Sequence, residues 1–483
     1  MKISVGFKTL AASLLLVLLI AWPAPTSSNA QNSNWSAAIA YFNPTGSSGE
    51  LSVSYHLENG SLVYPETSLV VNPHYSGTLL VSGTQGMEGA AVINTNFEMP
   101  AVYRIADGSG NPYGVIMLEF FNNSQVGLGT FYMPLVHHNT SGYISRIGIQ
   151  NVETGMIDAT LTFISDAGVT YNAAIDNIEP QSSEVFKTTE ISTSPALPAN
   201  FRGSLLIRAV QDGTSTGARI VAAAADIDSA SNHIRHSFQG VKDGSTSVYL
   251  PLVYCQFGRA GFSSSLNIQN VSGASIDANR ISISYYDGSG ALVTTQATNN
   301  PALVDGQSLE VNVCTAGSPV NGRQLSAVVN SPASVAVVGE ITDNYGLHAA
   351  YASAASYTTM GSNGFYNLTL PYVERSSSAW DFQTSIYIMN TSTSVASVTA
   401  IYYRRDSSSA QMTYNIPPLA MVETNPDLVP ELVNMENRDF KGAVMLNSNQ
   451  PIMALVLVTR QFQNADGSIM MRGDSYMGFQ YLP

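Results

Sequence analysis

Apolar and polar residues alternate in short runs along most of this chain. The runs at 265–269 (Ser-Leu-Asn-Ile-Gln) and 280–286 (Arg-Ile-Ser-Ile-Ser-Tyr-Tyr) place every second side chain on one face, which is the period of a half-buried strand. Turn-forming pairs such as Asn59-Gly60 and Asp287-Gly288 follow these runs and favour hairpins. No convincing amphipathic helical run occurs after residue 30. The pattern predicts an all-β protein.

A longer pattern recurs four times. In each copy an aromatic residue precedes an Asn by eight positions, and a Gly lies in a later run, 52 residues after the Asn in three copies and 34 in the first. In chain order the members are Trp35, Asn43 and Gly77; Tyr143, Asn151 and Gly203; Phe262, Asn270 and Gly322; Phe382, Asn390 and Gly442. A period of about 118 residues suits a whole small β domain rather than a solenoid repeat. We therefore predict four tandem β-sandwich modules at 31–134, 135–251, 252–371 and 372–483, the first shorter and divergent.

The repeated residues are expected to have structural roles. Each Asn ends an alternating run, where its side chain can bond to turn backbone; ligand binding is the alternative. The aromatic residue eight positions earlier is expected to pack in the core or at its rim.

A second recurring element is a short extended segment that ends in Pro. Its copies are Tyr132-Met133-Pro134, Tyr249-Leu250-Pro251, Thr369-Leu370-Pro371 and Tyr481-Leu482-Pro483. No copy precedes Trp35 and one ends the sequence, so we assign the element to the close of each module. Pro cannot donate to a sheet ladder, which favours an edge or a bend. Because no Gly/Ser linker separates the modules, we expect a semi-rigid rod.

The first thirty residues have the pattern of a cleaved signal peptide. Lys2 and Lys8 precede the apolar stretch 9–22, and Ser28-Asn29-Ala30 offers a cleavage site before Gln31. That stretch is short for a membrane span, although an uncleaved anchor is the alternative. We expect a secreted, extracellular protein whose mature chain, associated with the cell surface or free, has no membrane span.

Composition narrows the partners and the compartment. Only 11% of residues are charged and the net charge is −14, so the basic footprint of a nucleic-acid-binding protein is absent. Cys255 and Cys314 are the two cysteines. An oxidising compartment favours pairing them in one disulfide within module 3; two buried free thiols are the alternative.

Candidate catalytic and metal-binding residues form no recognised constellation. His137-His138 and His233-x-x-His236 lack a third ligand at a suitable spacing, which favours surface loops. Acidic residues could serve glycoside hydrolysis or hold calcium, and the candidates are Asp226, Asp228 with Asn232 beyond, and Asp343. They are not repeated in module 4, so we interpret them as surface turns. We expect no enzyme activity, metal or cofactor.

Two short motifs add nothing to this picture. Arg472-Gly473-Asp474 spells the tripeptide that integrins read, and we interpret it as a chance match. Seven Asn-x-Ser/Thr sequons occur, about as many as the composition alone would produce.

Three phrases of module 3 resemble those of modular bacterial exoproteins. They are Tyr249–Val253, Ser265–Asn270 and Tyr285–Gly290. Such proteins carry tandem immunoglobulin-like or fibronectin-like sandwiches on the cell surface. The resemblance implies immunoglobulin-like modules, extracellular placement and an adhesion or scaffold role, and it implies no active site.

Three functions remain open. The leading hypothesis is a non-enzymatic cell-surface or extracellular-matrix protein with an adhesion or scaffold role, whose partners are surface glycans, envelope proteins or further copies of itself. The alternatives are a carbohydrate-binding protein and a secreted hydrolase of unrecognised type. A further hypothesis gives module 1 an open sheet edge that residues 481–483 of another copy fill, unless those residues simply close module 4.

Overall fold

The computed structural model describes residues 12–18, 35–81, 89–96, 99–107, 115–119, 126–230, 234–345, 348–353, 364–376, 382–433, 439–463 and 469–481. Nearly all regular structure in them is β, which confirms the predicted all-β class. The described helical segments are two 3₁₀ turns, Val313–Ala316 and Pro426–Leu428, and one short helix, α1 (Pro430–Val433).

The strands fall into four sets, which we call modules 1 to 4. Module 1 contains β1 Ala12–Leu18, β2 Trp35–Phe42, β3 Gly49–Leu57, β4 Leu62–Val71, β5 Ser76–Val81, β6 Gly89–Thr95, β7 Ala101–Asp107 and β8 Val115–Glu119. After the two-residue strand β9 Gly127–Leu128, module 2 contains β10 Thr130–Thr140, β11 Tyr143–Asn151, β12 Ile157–Ser165, β13 Thr170–Ile178, β14 Ser183–Lys187, β15 Phe201–Gln211, β16 Arg219–Asp228 and β17 Ile234–Gln239.

Modules 3 and 4 contain seven strands each, and a short final strand follows those of module 4. Module 3 contains β18 Ser245–Cys255, β19 Ser263–Asn270, β20 Ser282–Tyr286, β21 Leu292–Ala297, β22 Ser308–Asn312, β23 Arg323–Thr342 and β24 His348–Ser353. Module 4 contains β25 Phe365–Arg375, β26 Gln383–Asn390, β27 Ala396–Arg404, β28 Ser409–Ile416, β29 Met421–Thr424, β30 Phe440–Gln463 and β31 Ile469–Met477, and β32 Phe479–Gln480 follows.

All four modules pair their strands in the same order. With the positions lettered A to H along the chain, A pairs with F, F with C and C with D, while B pairs with E and G, and G pairs with H. In modules 3 and 4 one long strand, β23 or β30, supplies both F and G. The sequence repeat therefore corresponds to a repeat of sheet pairing.

The interpretation that the Pro-ended element closes a module is wrong for its first three copies. Strands β10, β18 and β25 carry these prolines and pair as position A with position F of the module that follows. Each ladder shifts register across the Pro, as between Met133 and Val136, because a bulge accommodates the missing N–H donor. In module 1, β1 of the predicted signal segment takes position A.

The end of the chain pairs within module 4. Strand β32 lies against Leu368 and Thr369 of β25, and the backbone N–H of Tyr481 donates to the carbonyl of Asn367 over 3.1 Å. The described part of the C-terminal segment thus contacts its own chain. Residues 482 and 483 lie outside the described residues.

The modules form a closed ring, so the expectation of a rod is wrong. The H strands meet at the centre, where β8 contacts β17, β17 contacts β24, β24 contacts β31, and β31 contacts β8. At each junction the turn after strand C of one module lies against the turn before strand E of the next. The four contacts are Gly60 with Glu179, Gly168 with Gln307, Gly290 with Pro418, and Ser407 with Pro73. The fourth joins module 4 to module 1.

Apolar packing continues across the junctions. One buried cluster combines Ile39 and Leu51 of module 1 with Ile147 of module 2, and another combines Leu266 of module 3 with Leu455 of module 4. Burial of apolar surface between modules stabilises such an arrangement far more than isolated polar contacts would.

Candidate functional site

Polar side chains from three modules, most of them ionisable, come together near the centre of the ring. We call this group the central polar cluster and define it as His137 on β10, Ser145 on β11, Asp226 on β16, His236 on β17, Glu340 on β23 and Asp474 on β31. Strand register brings three of these residues together, because Asp226 pairs with Ser145 on one neighbouring strand and with His236 on the other. Residues that pair directly across neighbouring strands project from the same face of the sheet, so these three side chains meet.

The carboxylate of Asp226 is completely buried and has several partners. Ser145 Oγ donates to its Oδ1 over 2.5 Å, and His137 Nδ1 donates to its Oδ2 over 2.7 Å. His236 Nε2 lies 3.2 Å from the same Oδ2. The backbone N–H of His137 donates to Ser145 Oγ over 2.8 Å, which fixes the hydroxyl. Such a network satisfies the charge that burial would otherwise penalise.

The charged forms of Asp226 and His236 stabilise each other. Burial opposes the charge of Asp226, but the charges and hydrogen bonds of His137 and His236 outweigh it and hold the pKa of Asp226 well below its usual range. Burial also opposes the charge of His236, yet Asp226, with Glu340 and Asp474 beyond, raises the pKa of His236 to about 9. At neutral pH the cluster therefore contains an imidazolium beside a carboxylate.

A second carboxylate connects opposite modules. Asp474 of module 4 is completely buried, and its Oδ2 accepts from the backbone N–H and Oγ of Ser237 in module 2, over 3.2 and 2.7 Å. Toward the next junction, Glu340 Oε1 lies 4.0 Å from His236 Nε2. Polar contacts thus cross the centre of the ring.

The network extends outward between modules 2 and 3. Arg202 Nη2 lies 4.0 Å from Glu340 Oε2 and donates to Asn267 Oδ1, while its Nη1 donates to Glu310 Oε2 over 2.5 Å. Arg202 forks between several acceptors, as a guanidinium can. This junction is therefore fixed by charge as well as by apolar packing.

The arrangement does not assemble a nucleophile. In a catalytic triad the imidazole lies between the carboxylate and the hydroxyl, whereas Ser145 and His137 both donate to Asp226. Within the described ranges, no group of three or more His, Cys, Asp or Glu side chains could hold a metal ion. The geometry is that of a buried network that orients strands.

The four repeat Asn side chains make the same contacts. Each Nδ2 donates to the carbonyl four residues later and to a second carbonyl at or after the end of strand D. For Asn151 these are Gly155 O at 2.8 Å and Ile178 O at 2.9 Å, whereas for Asn270 the second is Leu303 O, between β21 and β22. Each Oδ1 accepts from the backbone N–H two residues on. Asn43, Asn151, Asn270 and Asn390 are all fully buried. Each one therefore ties its B–C turn to the last residue of strand D, or in module 3 to the segment that follows strand D.

The glycines of the repeat are not all equivalent. Gly203 and Gly442 occupy the same ladder position on strand F, where a Cβ would collide with the carbonyl oxygens of Ile164 and Tyr403. In module 1 that position belongs to Gly89, whereas Gly77 lies on strand E. Gly322 precedes strand F and has a φ of +71° with open space beside it. Equal spacing along the chain thus concealed two different backbone requirements.

The remaining sequence candidates lie in varied surroundings. Cys255 and Cys314 are joined in a disulfide within module 3. Phe382 is buried, and Tyr143 and Phe262 are partly buried. The side chain of Trp35 lies outside the described part of the structure.

Several polar residues were placed wrongly. His137, His236 and Asp226 are buried on strands, although the sequence suggested surface loops and turns. Asp228 instead pairs with Arg235, with Oδ2 and Nη2 2.8 Å apart. Asn232 and His233 lie outside the described residues. A signal was present, since Asp226 interrupts the apolar run 220–227, where a charge must be buried and paired.

Three residues of the central polar cluster had no signal of their own. Ser145 and Glu340 were not singled out, and Asp474 was set aside as part of the Arg-Gly-Asp match. That tripeptide lies on β31 with its Asp buried, so its carboxylate does not face solvent as a receptor motif would.

Comparisons with known proteins give weak likenesses. No protein-family model matches the chain, and no curated protein matches it. A crystal structure of Thermotoga maritima 1070 matches with 16% identity over 25% of this chain and 97% of that one, at a TM-score of 0.19. A tetra-tandem repeat from the extending region of a large adhesion protein matches with 10% identity over 89% of this chain and 92% of that one, at a TM-score of 0.11.

A third solved structure gives insight into host cell surface retention of a 1.5-MDa bacterial ice-binding adhesin. It matches with 12% identity over 74% of this chain and 100% of that one, at a TM-score of 0.10. The neighbours thus include tandem-repeat adhesin domains, at TM-scores too low to carry an argument. Among the described residues no helix has the length and apolar character needed to cross a membrane.

Proposed function

We propose that this chain is a secreted, non-enzymatic protein of the cell surface or extracellular matrix, with an adhesion or scaffold role. Its four immunoglobulin-like β-sandwich modules would act as one ring-shaped body rather than as separate beads. The observation that carries the proposal is the closure of the ring, in which the turn of each module, the fourth included, contacts the next. A closed ring holds its outer strands in fixed relative positions.

The distribution of polar groups favours a binding surface over an active site. The ionisable groups with shifted pKa values at the centre, Asp226 and His236, are buried and lie beside each other. The outer sheets end in strands β4, β13, β21 and β28, one from each module, and β13 alternates exposed and half-buried side chains over most of its length. Four related strands would offer a partner several similar contacts, which raises avidity.

Carbohydrate binding is the second candidate and has narrower support. Sugar sites commonly present exposed aromatic rings, and the exposed large side chains of the described residues include Tyr345 and Tyr366. These two lie on different modules. The other exposed large side chains are aliphatic, so no aromatic row along one sheet favours this function.

The test is a binding assay with the exported protein, residues 31–483, against envelopes of the producing cells and a panel of soluble polysaccharides. Saturable retention on envelopes that no free oligosaccharide competes supports the scaffold role. Competition by one oligosaccharide, lost in Tyr345→Ala or Tyr366→Ala, supports sugar binding instead. Absence of both kinds of binding contradicts the proposal, and turnover of any polysaccharide contradicts its non-enzymatic part.

A further inference from the structure

The strand that completes module 1 comes from the segment with signal-peptide character. Strand β1 pairs with β6 over seven residues, from Ala12 with Thr95 to Leu18 with Gly89. The predicted cleavage before Gln31 removes this strand and leaves four residues ahead of Trp35. A mature chain would therefore lack position A in module 1, whereas modules 2 to 4 retain theirs.

The edge so exposed is apolar and deep. On β6, Ala90, Ala91, Val92 and Ile93 are all buried. Position A also lies at a junction, since β1 contacts β11 and β16 of module 2. Strands β10, β18 and β25 make the corresponding contacts with the module after theirs. A vacant position A would leave both an unpaired ladder and an apolar slot between modules, which is an edge that recruits another strand.

The other modules show what fits this position. Strand β10 buries Phe131, Met133 and Leu135 at alternate positions around Pro134. Strands β18 and β25 repeat the pattern with Val248, Leu250 and Leu252, and with Leu368, Leu370 and Tyr372. In register, Leu14 and Leu16 of β1 pair with Ile93 and Ala91, as Phe131 and Met133 of β10 pair with Ile207 and Leu205.

We infer that the mature protein binds, at the vacant position A of module 1, an extended segment of a partner protein. That segment runs antiparallel to β6 and carries apolar residues at three alternate positions. Main-chain hydrogen bonds to β6 supply affinity, and the slot between modules 1 and 2 selects the apolar side chains. The inference rests on the proposed secretion, because only cleavage vacates the position.

The probe is a synthetic peptide with the sequence of residues 129–138, which includes most of β10. The control peptide carries Met133→Asp and Leu135→Asp, which place charges in an apolar slot. The protein is the exported chain, with its N-terminus determined by sequencing. Hydrogen exchange of the amides in 89–95 reports occupancy of the edge. With the probe at about 100 times its dissociation constant, the β6 amides that do not bond to β3 should exchange about 100-fold more slowly.

A matched variant carries residues 129–138 and a Gly/Ser linker before Gln31, so that the strand is supplied by the chain itself. We expect the protected amides and no binding of the probe. If the exported chain starts at Gln31 but its β6 amides are already protected and the probe does not bind, the inference is wrong while secretion stands. If that protection disappears on dilution to the monomer, a second copy is the occupant. A chain that keeps residues 12–18 overturns both the inference and cleavage.

Discussion

Replacing His236 with leucine removes an imidazole that faces carboxylates from three modules, namely Asp226, Glu340 and Asp474. The pKa of His236 rises from 6.5 to about 9 on folding, and at 1.36 kcal/mol per pKa unit this corresponds to about 3 kcal/mol. Because the folded pKa is raised, that stability is fully present below pH 6.5 and is lost as the pH rises to 9. His236→Leu should therefore lower the unfolding free energy by about 3 kcal/mol more at pH 6 than at pH 9.5.

The assay is urea unfolding of the wild-type and variant proteins at the two pH values, followed by tryptophan fluorescence and circular dichroism. Phe238→Leu is the control, because Phe238 is buried on the same strand and its neutral side chain gives no pH-dependent cost. If the loss of unfolding free energy caused by His236→Leu is the same at pH 6 as at pH 9.5, as it should be for Phe238→Leu, the charge assignment at the centre of the ring is wrong. Destabilisation by His236→Leu that grows with pH would contradict it equally.

Three other substitutions test particular contacts. Asn151→Ala should cost about 2–3 kcal/mol, because it leaves a buried carbonyl without its donor; chemical denaturation measures this. Gly203→Ala should cost about 1–3 kcal/mol or more, since the added methyl group meets backbone and not a side chain that can move, and the same assay applies. Replacing both cysteines of the disulfide by Ala opens a loop with a sequence separation of 59 residues and should cost about 4 kcal/mol on the loop-entropy estimate, measured as a fall in unfolding free energy under oxidising conditions.

Controls for these predictions come from the same chain. Asn172→Ala removes an exposed hydrogen bond to Thr162, and Gly155→Ala adds a methyl group with nothing within 4 Å. Both should change stability by under about 0.5 kcal/mol. Equal costs for Asn151→Ala and Asn172→Ala would refute the structural role of the repeat Asn. For the disulfide, an unchanged unfolding free energy after reduction would show that the crosslink constrains nothing that matters to stability.

Local patterns in the sequence predicted the local structure well. Alternation at 265–269 identified a strand, and Asn151 was expected to bond to turn backbone, which it does. Both depend on residues close in sequence or within one module. The Gly spacing was less informative, because Gly322 satisfies a positive φ and Gly203 a close approach of two strands. The same residue type at the same interval can therefore be required for different steric reasons.

The arrangement of modules and the central polar cluster could not be predicted. Closure depends on contacts such as Ser407 with Pro73, which are 334 residues apart, and no periodicity encodes them. Asp226 and Asp474 differ from the residues at the matching positions of other modules. For Asp226 that variation suggested a surface turn, and Asp474 was interpreted as part of a chance tripeptide match. The same variation is required at a centre where four different modules meet, because each neighbour presents different chemistry.

Because the four modules belong to one chain, the residues at matching positions around the centre of the ring need not be identical. In a ring of four identical subunits, a residue at the position of His236 would face three copies of itself, giving four histidines or four carboxylates around one axis. Here the paired positions on strand H hold His236, Ala349 and Asp474 in modules 2, 3 and 4. Covalent linkage thus permits a charge and its counter-charge on opposite sides of the axis, an arrangement that no homotetramer can build from this position.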